Sequence, residues 1–238
     1  MRLRRASASW VAPEPECGFV VRCVDPPTHV PDIPGWRLAQ GNAEPRATPP
    51  GSEERSDIDE RFQKSQVEAI LELTRRELPI GPSIQAGMEL ADAIAMQTRG
   101  VIIDPLSQRL VLPGEWQVEA RMYAIDPREH VTVHYVEEST GLWVHTHGLA
   151  KFGRPELELF DLPTDAGKLA WACVMDVSGY VIDGPVVAPG NTLGNPKVPL
   201  KALEGSREAD HWDERSVLEL RGAGGPTIEA VRASLGLT

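Results

Sequence analysis

The chain has 238 residues, of which 24 are Lys or Arg and 35 are Asp or Glu, so its formal net charge is −11. This length allows one large domain or two small ones, and a hydrophobic content of 41% is enough for a packed core. The acidic balance disfavours nonspecific binding to nucleic acid or to an anionic membrane surface, so we expect no nucleic-acid partner. No apolar run approaches the roughly 20 residues that a membrane-spanning helix requires, so we expect no membrane partner.

The cysteines and the N-terminal segment favour a cytoplasmic protein. The three cysteines, Cys17, Cys23 and Cys173, form no C-x-x-C pair, which argues against a disulfide framework or a cysteine-based zinc finger. Residues 1–16 carry positive charge but lack the apolar core of a secretory signal. We therefore expect reduced thiols and a cytoplasmic location.

The N-terminal part is predicted to be a strand followed by irregular chain. Residues 18–24 form a short β-like run. Residues 31–56 are rich in Pro, Gly and polar residues, and residues 42–56 are the most linker-like part. We therefore expect residues 1–56 to comprise an N-terminal strand plus a Pro/Gly-rich irregular segment, and residues 57–238 to form the main α+β domain.

Two helices are predicted next. Ser56 and Asp59 resemble a capping box, and apolar residues recur at helical spacing from Ile58 onward. The first helix should therefore run to about Leu78 and end before the proline that follows it. The second helix should cover residues 84–98, where small and apolar side chains share one face.

The pattern changes to that of β-strands after residue 100. Strands are predicted at residues 101–104, 109–112, 116–125, 131–136, 142–147, 155–159 and 217–221, and helices at residues 164–177 and 227–235. Residues 183–201 form a Pro/Gly-rich loop whose length is typical of a functional or mobile segment. The grouping predicts an α+β fold with a mainly antiparallel sheet, a central hairpin at residues 131–147, and helices packed on the sheet.

The central hairpin is predicted to collect three histidines on one face. Alternate residues of a strand share a face, so Trp143, His145 and His147 point the same way. A turn centred on residues 139–140 places His134 opposite His145 and leaves the other face apolar. We call His134, His145 and His147 the histidine face, and we expect His134, Trp143 and Glu156 to border a ligand there.

The histidine face has the composition of a metal site. His134, His145, His147 and Glu158 are candidate ligands of a divalent cation such as zinc, because imidazole and carboxylate suit that ion. Glu156 is a candidate catalytic residue that would accept a proton from metal-bound water. The structural alternative is a half-exposed sheet face whose histidines cap carbonyl groups or pair with glutamate.

The spacing His145-x-His147-x7-Pro155-x2-Glu158 is similar to the H-x-H-x7-S-x2-D signature of JAMM-type metalloproteases. The resemblance implies that His145, His147 and Glu158 would be metal ligands. Pro155 stands where that family has the serine that supports the oxyanion, and Glu replaces Asp. No upstream catalytic Glu is identifiable.

A longer stretch resembles a group of bacterial proteins known only as domains of unknown function. It comprises a helix leading into TRGVIIDP, and then the segments LWVHTHGL and FGRPELEL, over roughly residues 85–178. The resemblance implies a shared bacterial α+β domain and no particular reaction. Its Thr-His-Gly element also has a structural interpretation, with Thr146 buried, Gly148 at a positive-φ corner, and both glutamates paired with Arg or His.

Three other features favour structural roles. The stretch Gly222 to Thr227 resembles a phosphate-binding loop, but Pro226 removes a donor, so a turn into a helix start is preferred. The polar run from Asp210 to Asp213 is interpreted as a surface turn. Trp116 and Trp143 are interpreted either as walls of a ligand groove or as ordinary packing.

The leading functional hypothesis is a bacterial binding or interaction module for a protein or small-molecule partner. Its ligand-facing surface would be the histidine face, bordered by Glu156, Glu158 and residues 183–201. The alternative is a metal-dependent hydrolase with His145 and His147 as metal ligands. Metal content distinguishes the two hypotheses.

Overall fold

A computed structural model describes residues 17–30, 33–43, 56–73, 79–116, 125–205, 209–212 and 215–237. The chain divides into two compact units, of which the first is Glu16–Ile125 and the second contains Asp126–Thr238. This division differs from the expected boundary at residue 56. The reason is that the N-terminal strand pairs along its length with a strand that follows that position, so both belong to one sheet.

In its described residues, the first unit contains a five-stranded antiparallel sheet and two helices. Its elements are β1 (Gly18–Cys23), β2 (Trp36–Asn42), α1 (Ser56–Lys64), β3 (Val67–Leu73), α2 (Ile80–Thr98), β4 (Val101–Asp104) and β5 (Arg109–Val111). The strand order is β2-β3-β1-β4-β5. The expected N-terminal strand, the second helix and the two strands after it are therefore confirmed.

The predicted helix from Ser56 to Leu78 is wrong beyond Lys64. Residues after that point form β3, in which Ala69 and Leu71 are buried while Ile70 and Glu72 are exposed. That alternation fits a strand as well as the apolar spacing fits a helix. Pairing with β1 on one side and β2 on the other decides for the strand. Residues 74–78 lie outside the described part.

The Pro/Gly-rich N-terminal segment also contains an ordered strand. β2 occupies Trp36–Asn42, and its first residue is buried against α2. The Trp36 indole N–H donates a hydrogen bond to the Ser83 carbonyl at 3.1 Å. Gly87 permits this approach, because a Cβ atom there would lie 2.1 Å from the Trp36 ring. Residues 44–55 of the linker-like part lie outside the described residues, as do residues 117–124 of the strand expected after Trp116.

The second unit is built on a six-stranded mixed sheet. Its elements are α3 (Pro127–His130), β6 (Thr132–Glu138), β7 (Gly141–His147), β8 (Glu156–Leu162), α4 (Gly167–Asp183), β9 (Thr192–Leu193), β10 (Leu200–Glu204), α5 (Ala209–Trp212), β11 (Val217–Gly222) and α6 (Thr227–Ser234). The strand order is β6-β7-β8-β11-β10-β9. β8 and β11 run parallel and all other neighbours run antiparallel. With α4 and α6 packed on the sheet, the predicted α+β class is confirmed.

The central hairpin has the predicted register. His134 lies opposite His145, Val133 opposite Thr146, and Tyr135 opposite Val144. The apolar residues of β7 that face away from the histidines are buried. Both faces of β7 are buried, but one carries the imidazoles, so a slip of one residue would exchange the imidazoles with the side chains of the opposite face.

The loop after α4 is partly ordered by the sheet. Residues 192–193 within the expected loop 183–201 form β9, which pairs with β10. Val187 and Leu193 are buried, so this segment packs into the unit. β9 is the edge strand opposite β6, and three strands separate it from the histidines of β7.

Candidate metal centre

The two histidines of β7 lie deep in the second unit. His145 and His147 are each 2% exposed, whereas His134 on β6 is half-buried. The three imidazoles contact one another, with ring centroids 5.0 to 5.5 Å apart. The predicted histidine face is therefore present.

A histidine from a distant part of the chain joins this face. His211 lies on α5, in the connection between β10 and β11, and its ring centroid is 4.8 Å from that of His145. One ligand atom from each of His145, His147 and His211 lies within 4.8 Å of the other two. Three such atoms fit within a circle of about 2.8 Å radius, and zinc–nitrogen bonds measure about 2.0–2.1 Å. Small side-chain movements would thus bring all three imidazoles into bonding distance of one ion.

His211 was not among the predicted ligands. The interpretation of residues 210–213 as a surface turn is wrong in part, because Trp212 is only 2% exposed and anchors this segment in the core. The sequence offered one signal that this segment is partly buried, namely a tryptophan inside a run of charged residues. A large apolar side chain of this kind favours burial. The contact itself depends on the tertiary structure, because His147 and His211 are 64 positions apart in the sequence.

Two tryptophans hold the imidazoles in place. The centroid of the Trp143 ring lies 4.1 Å from that of the His145 ring and 5.1 Å from that of the His211 ring. The Trp212 ring lies 5.3 Å from the His147 ring. Trp143 and Trp212 belong to one buried apolar cluster with Phe160 and Val217. The histidines therefore pack against two buried tryptophan side chains.

Glu158 is placed beside the histidines but supports them indirectly. It lies opposite His145 in the β7–β8 register and is fully buried. Its Oε2 atom accepts a hydrogen bond from the indole N–H of Trp212 at 3.3 Å. Glu158 is not a member of the three-residue group whose ligand atoms converge. The proposal that Glu158 is a metal ligand stays a prediction, and the hydrogen bond that the structure shows is to the tryptophan next to His211.

Glu156 closes the turn that follows β7. One carboxylate oxygen accepts hydrogen bonds from the amides of Gly148 at 2.8 Å and Ala150 at 3.2 Å. The other accepts from the Thr146 hydroxyl at 2.8 Å. Burial raises the pKa of this carboxyl to about 7. Both oxygens are thus engaged in the turn, which gives Glu156 a structural role, and its catalytic role stays a prediction.

The structural interpretation of the Thr-His-Gly element is largely confirmed. Thr146 is fully buried, and its hydroxyl also accepts a hydrogen bond from the Leu157 amide at 2.8 Å. Gly148 has φ 120°, which favours glycine. The donors to the two glutamates are Thr146 and backbone amides for Glu156, and Trp212 for Glu158.

The buried imidazoles are electrically neutral near neutral pH. Burial, together with repulsion from neighbouring imidazoles, lowers the pKa of both His145 and His147 to about 3. Burial also lowers the pKa of His134. The Nδ1 atom of His145 is buried and has no hydrogen-bond partner among the described residues. A buried nitrogen of this kind is costly unless a ligand or ion engages it.

The remaining predicted residues occupy different positions. His134 stacks on His145 with an interplanar angle of 18°, but it lies outside the group of three converging ligand atoms. Trp143 borders the histidines as predicted. Trp116 belongs to the first unit, where it is buried and contacts the Phe19 ring edge-on at 5.1 Å.

Comparison with known proteins adds no family to this geometry. No family model, curated protein or solved structure matches the chain. The resemblance to bacterial domains of unknown function and the similarity to the JAMM signature therefore stay predictions. Among the described residues, no helix combines the length and apolarity needed to cross a bilayer.

Proposed function

We propose that this protein is a metal-dependent binding module of bacterial origin that acts in the cytoplasm and holds one zinc-type divalent cation through His145, His147 and His211. The convergence of their three ligand atoms within 4.8 Å carries the proposal. Two of these side chains project from one strand and the third from α5. The ion would therefore join two parts of the second unit.

The chemistry of the donors favours zinc or a similar ion. Neutral imidazole nitrogen is a preferred donor for zinc, and the lowered pKa values of His145 and His147 keep their lone pairs free of protons. The converging group of ligand atoms consists of imidazole nitrogens and contains no thiolate among the described residues. Calcium and magnesium are disfavoured because they require oxygen ligands.

A metal-dependent hydrolase is the second candidate function. Three protein ligands with a fourth position for water are typical of catalytic zinc. However, the proton acceptor expected for that reaction, Glu156, has both carboxylate oxygens engaged by Thr146, Gly148 and Ala150. The site therefore supports binding of a ligand by the ion better than it supports general-base hydrolysis.

Metal analysis of untagged protein tests the proposal. We expect about one zinc ion per chain in the wild type, and loss of that ion in the separate variants His145→Ala, His147→Ala and His211→Ala. His29→Ala is the matched control, because His29 is exposed in the first unit and should not affect metal content. A wild type without tightly held metal would overturn the proposal.

The His211→Ala variant is the most informative of the three. His211 is exposed, so its truncation should leave the fold intact. If this variant retains one zinc ion per chain, the ion is held by residues other than His211, and the proposed ligand set is wrong. Circular dichroism of each variant checks that metal loss does not result from unfolding.

A further inference from the structure

The spacing between imidazole rings shows whether they can share one metal ion. A zinc–nitrogen bond of about 2.0–2.1 Å places the ion about 3.2 Å from the centroid of an imidazole ring. Two rings on one tetrahedral ion then have their centroids about 5.2 Å apart. The three pairs formed by His145, His147 and His211 have ring centroids 5.2, 4.8 and 5.5 Å apart, so this set has the expected spacing.

His134 has the same spacing from both histidines of β7. Its ring centroid lies 5.5 Å from that of His145 and 5.0 Å from that of His147. The hairpin register produces this arrangement, because His134 lies directly opposite His145 and directly opposed residues project from the same face of a sheet. With respect to β7, His134 therefore lies where a fourth imidazole on the same ion would lie.

Two buried nitrogens of these rings have unused hydrogen-bonding capacity. The His134 side chain is half-buried, but its Nε2 atom is buried and has no hydrogen-bond partner among the described residues. The same is true of the Nδ1 atom of His145, a residue that is 2% exposed. A buried nitrogen without a partner is costly, and a metal ion that accepts its lone pair removes this cost.

Rotation of the side chain would bring a nitrogen of His134 to the ion. His134 is not one of the three residues whose ligand atoms lie within 4.8 Å of one another, so some movement is required. The terminal χ2 torsion of histidine has a broad energy profile. A half-turn about it exchanges each ring nitrogen with a carbon while the ring keeps its place. Such a rotation changes the atom that faces the ion and leaves the backbone of β6 unmoved.

Glu158 would balance part of the charge of a centre with four imidazoles. Neutral imidazoles cancel none of the two positive charges of a zinc ion, and uncompensated charge in a buried place is costly. Glu158 is fully buried opposite His145, and its Oε2 atom accepts a hydrogen bond from the Trp212 indole N–H. A cation nearby favours the charged form of a carboxyl group, so Glu158 would stabilise the ion without being one of its ligands.

We infer that His134 is the fourth ligand of the ion, which makes the proposed centre a closed site of four imidazoles. The inference rests on the proposed function, since it requires the ion to be held by His145, His147 and His211. Four protein ligands are typical of structural zinc sites, whereas a catalytic site keeps one position open for water. A ligand from outside would reach the ion only by displacing His134, which lies on the edge strand β6.

X-ray absorption spectroscopy of the zinc-loaded, full-length protein counts the imidazoles on the ion. We expect four in the wild type, and three with one water oxygen in His134→Phe, which keeps an aromatic ring but has no nitrogen. The zinc affinity of this variant should fall at least about 100-fold, the upper end of the loss caused by removing a group behind a ligand. Val136→Ala is the matched control, because Val136 lies on the same face of β6, opposite Trp143, and should not affect zinc affinity.

Rescue by free imidazole distinguishes a ligand from a packing residue. In His134→Ala, added imidazole should occupy the vacated position and restore most of the zinc affinity. The same concentration of imidazole should leave the zinc affinity of Val136→Ala unchanged.

The possible results separate the inference from the proposed function. A wild type that binds no zinc would overturn both together. Three imidazoles and one oxygen in the wild type would overturn the inference alone, whether the oxygen comes from water or from a carboxylate such as that of Glu158. Four imidazoles that persist in His134→Phe would also overturn it, since another histidine would then be the fourth ligand.

Discussion

Glu156 and Glu158 occupy alternate positions of β8, yet their carboxylates serve different partners. Glu156 accepts hydrogen bonds from Thr146 and from the turn at residues 148–150. Glu158 accepts one from Trp212. Their chemical type and strand position suggested acid–base chemistry and metal ligation. The donors within reach determine the hydrogen bonds that the structure shows, because a buried carboxylate is satisfied by the donors that surround it.

Acidification should destabilise the metal-free protein. Histidine titrates near pH 6.5 in an unfolded chain, whereas His145 and His147 stay neutral in the folded state to about pH 3. Between these pH values, His145 and His147 together bind two more protons in the unfolded state than in the folded state. The unfolding free energy therefore falls as the pH falls. Glu156 has the opposite effect between about pH 4.5 and 7. Its pKa is raised in the folded state, so there the folded state binds one more proton than the unfolded state. The two histidines outweigh Glu156, and the lowered pKa of His134 adds to their effect, so the net slope keeps this sign.

Urea unfolding in the presence of a chelator, between about pH 7 and pH 5, measures this slope. His147→Asn should make the slope shallower by the contribution of about one proton, since one of the two histidines is removed. Glu156→Gln should make it steeper by about one proton, because the opposing group is removed. A wild-type stability that stays constant or rises on acidification would contradict the sign of these shifts.

The short helix α5 owes its position to tertiary contacts. A single helical turn has almost no stability of its own in water. Trp212 at its end is buried in the apolar cluster and donates to Glu158, and these contacts place His211 beside β7. The third proposed metal ligand is therefore held by its neighbour in sequence rather than by regular secondary structure.

Trp212→Phe should weaken zinc binding without removing a ligand. The substitution keeps an aromatic ring but deletes the N–H that donates to Glu158, so α5 loses its polar anchor. Loss of a supporting contact behind a metal ligand typically costs 10- to 100-fold in affinity, and we expect the lower end, about tenfold. Competition with a chromophoric chelator measures the affinity. Trp171→Phe is the control, and an unchanged affinity in Trp212→Phe would show that Glu158 does not support the site.

The β6–β7 hairpin depends on a glycine at the start of β7. Gly141 has φ 139°, and a Cβ atom there would lie 2.5 Å from the Leu162 carbonyl oxygen. Gly141→Ala should therefore lower the unfolding free energy by about 1–3 kcal/mol, through backbone strain and this clash. Gly224→Ala is the matched control, because a Cβ atom there meets nothing within 4 Å. Equal urea midpoints for the two variants would contradict the expectation.

On the scale of the whole molecule, the proposed metal centre belongs to one of two units. His145, His147 and His211 all lie in the unit that contains Asp126–Thr238. The sheet order of this unit places β7 next to β8 and β8 next to β11. The parallel pairing of β8 with β11 brings the chain that precedes β11 into the neighbourhood of β7.

Zinc binding should stabilise the second unit selectively. An ion that binds the folded state adds about 2.7 kcal/mol when its free concentration is 100 times its dissociation constant. Hydrogen exchange of the full-length protein, with and without zinc, measures where this stabilisation acts. We expect slower exchange in β7 and in residues 209–212, with α2 of the first unit as the internal control. Equal protection of α2 would show that the ion acts on the whole chain.

Several features could be predicted from local sequence patterns. The alternation of residues in β6 and β7 determined both their register and the face that carries His134, His145 and His147. The Gly148 corner was predictable because few residues other than glycine adopt its backbone conformation. At β3 the local pattern was ambiguous, since the same apolar residues satisfy a helical and a strand period.

By itself, the sequence determined the α+β class, the central hairpin and two of the three proposed metal ligands, because these depend on side-chain alternation between neighbouring residues. Only the tertiary structure decided the third ligand and the roles of the glutamates. His211 reaches His145 through the parallel pairing of β8 with β11 and the burial of Trp212, contacts between residues that are far apart in the chain. Local periodicity carries no information about such contacts, because they depend on how the strands assemble into a sheet.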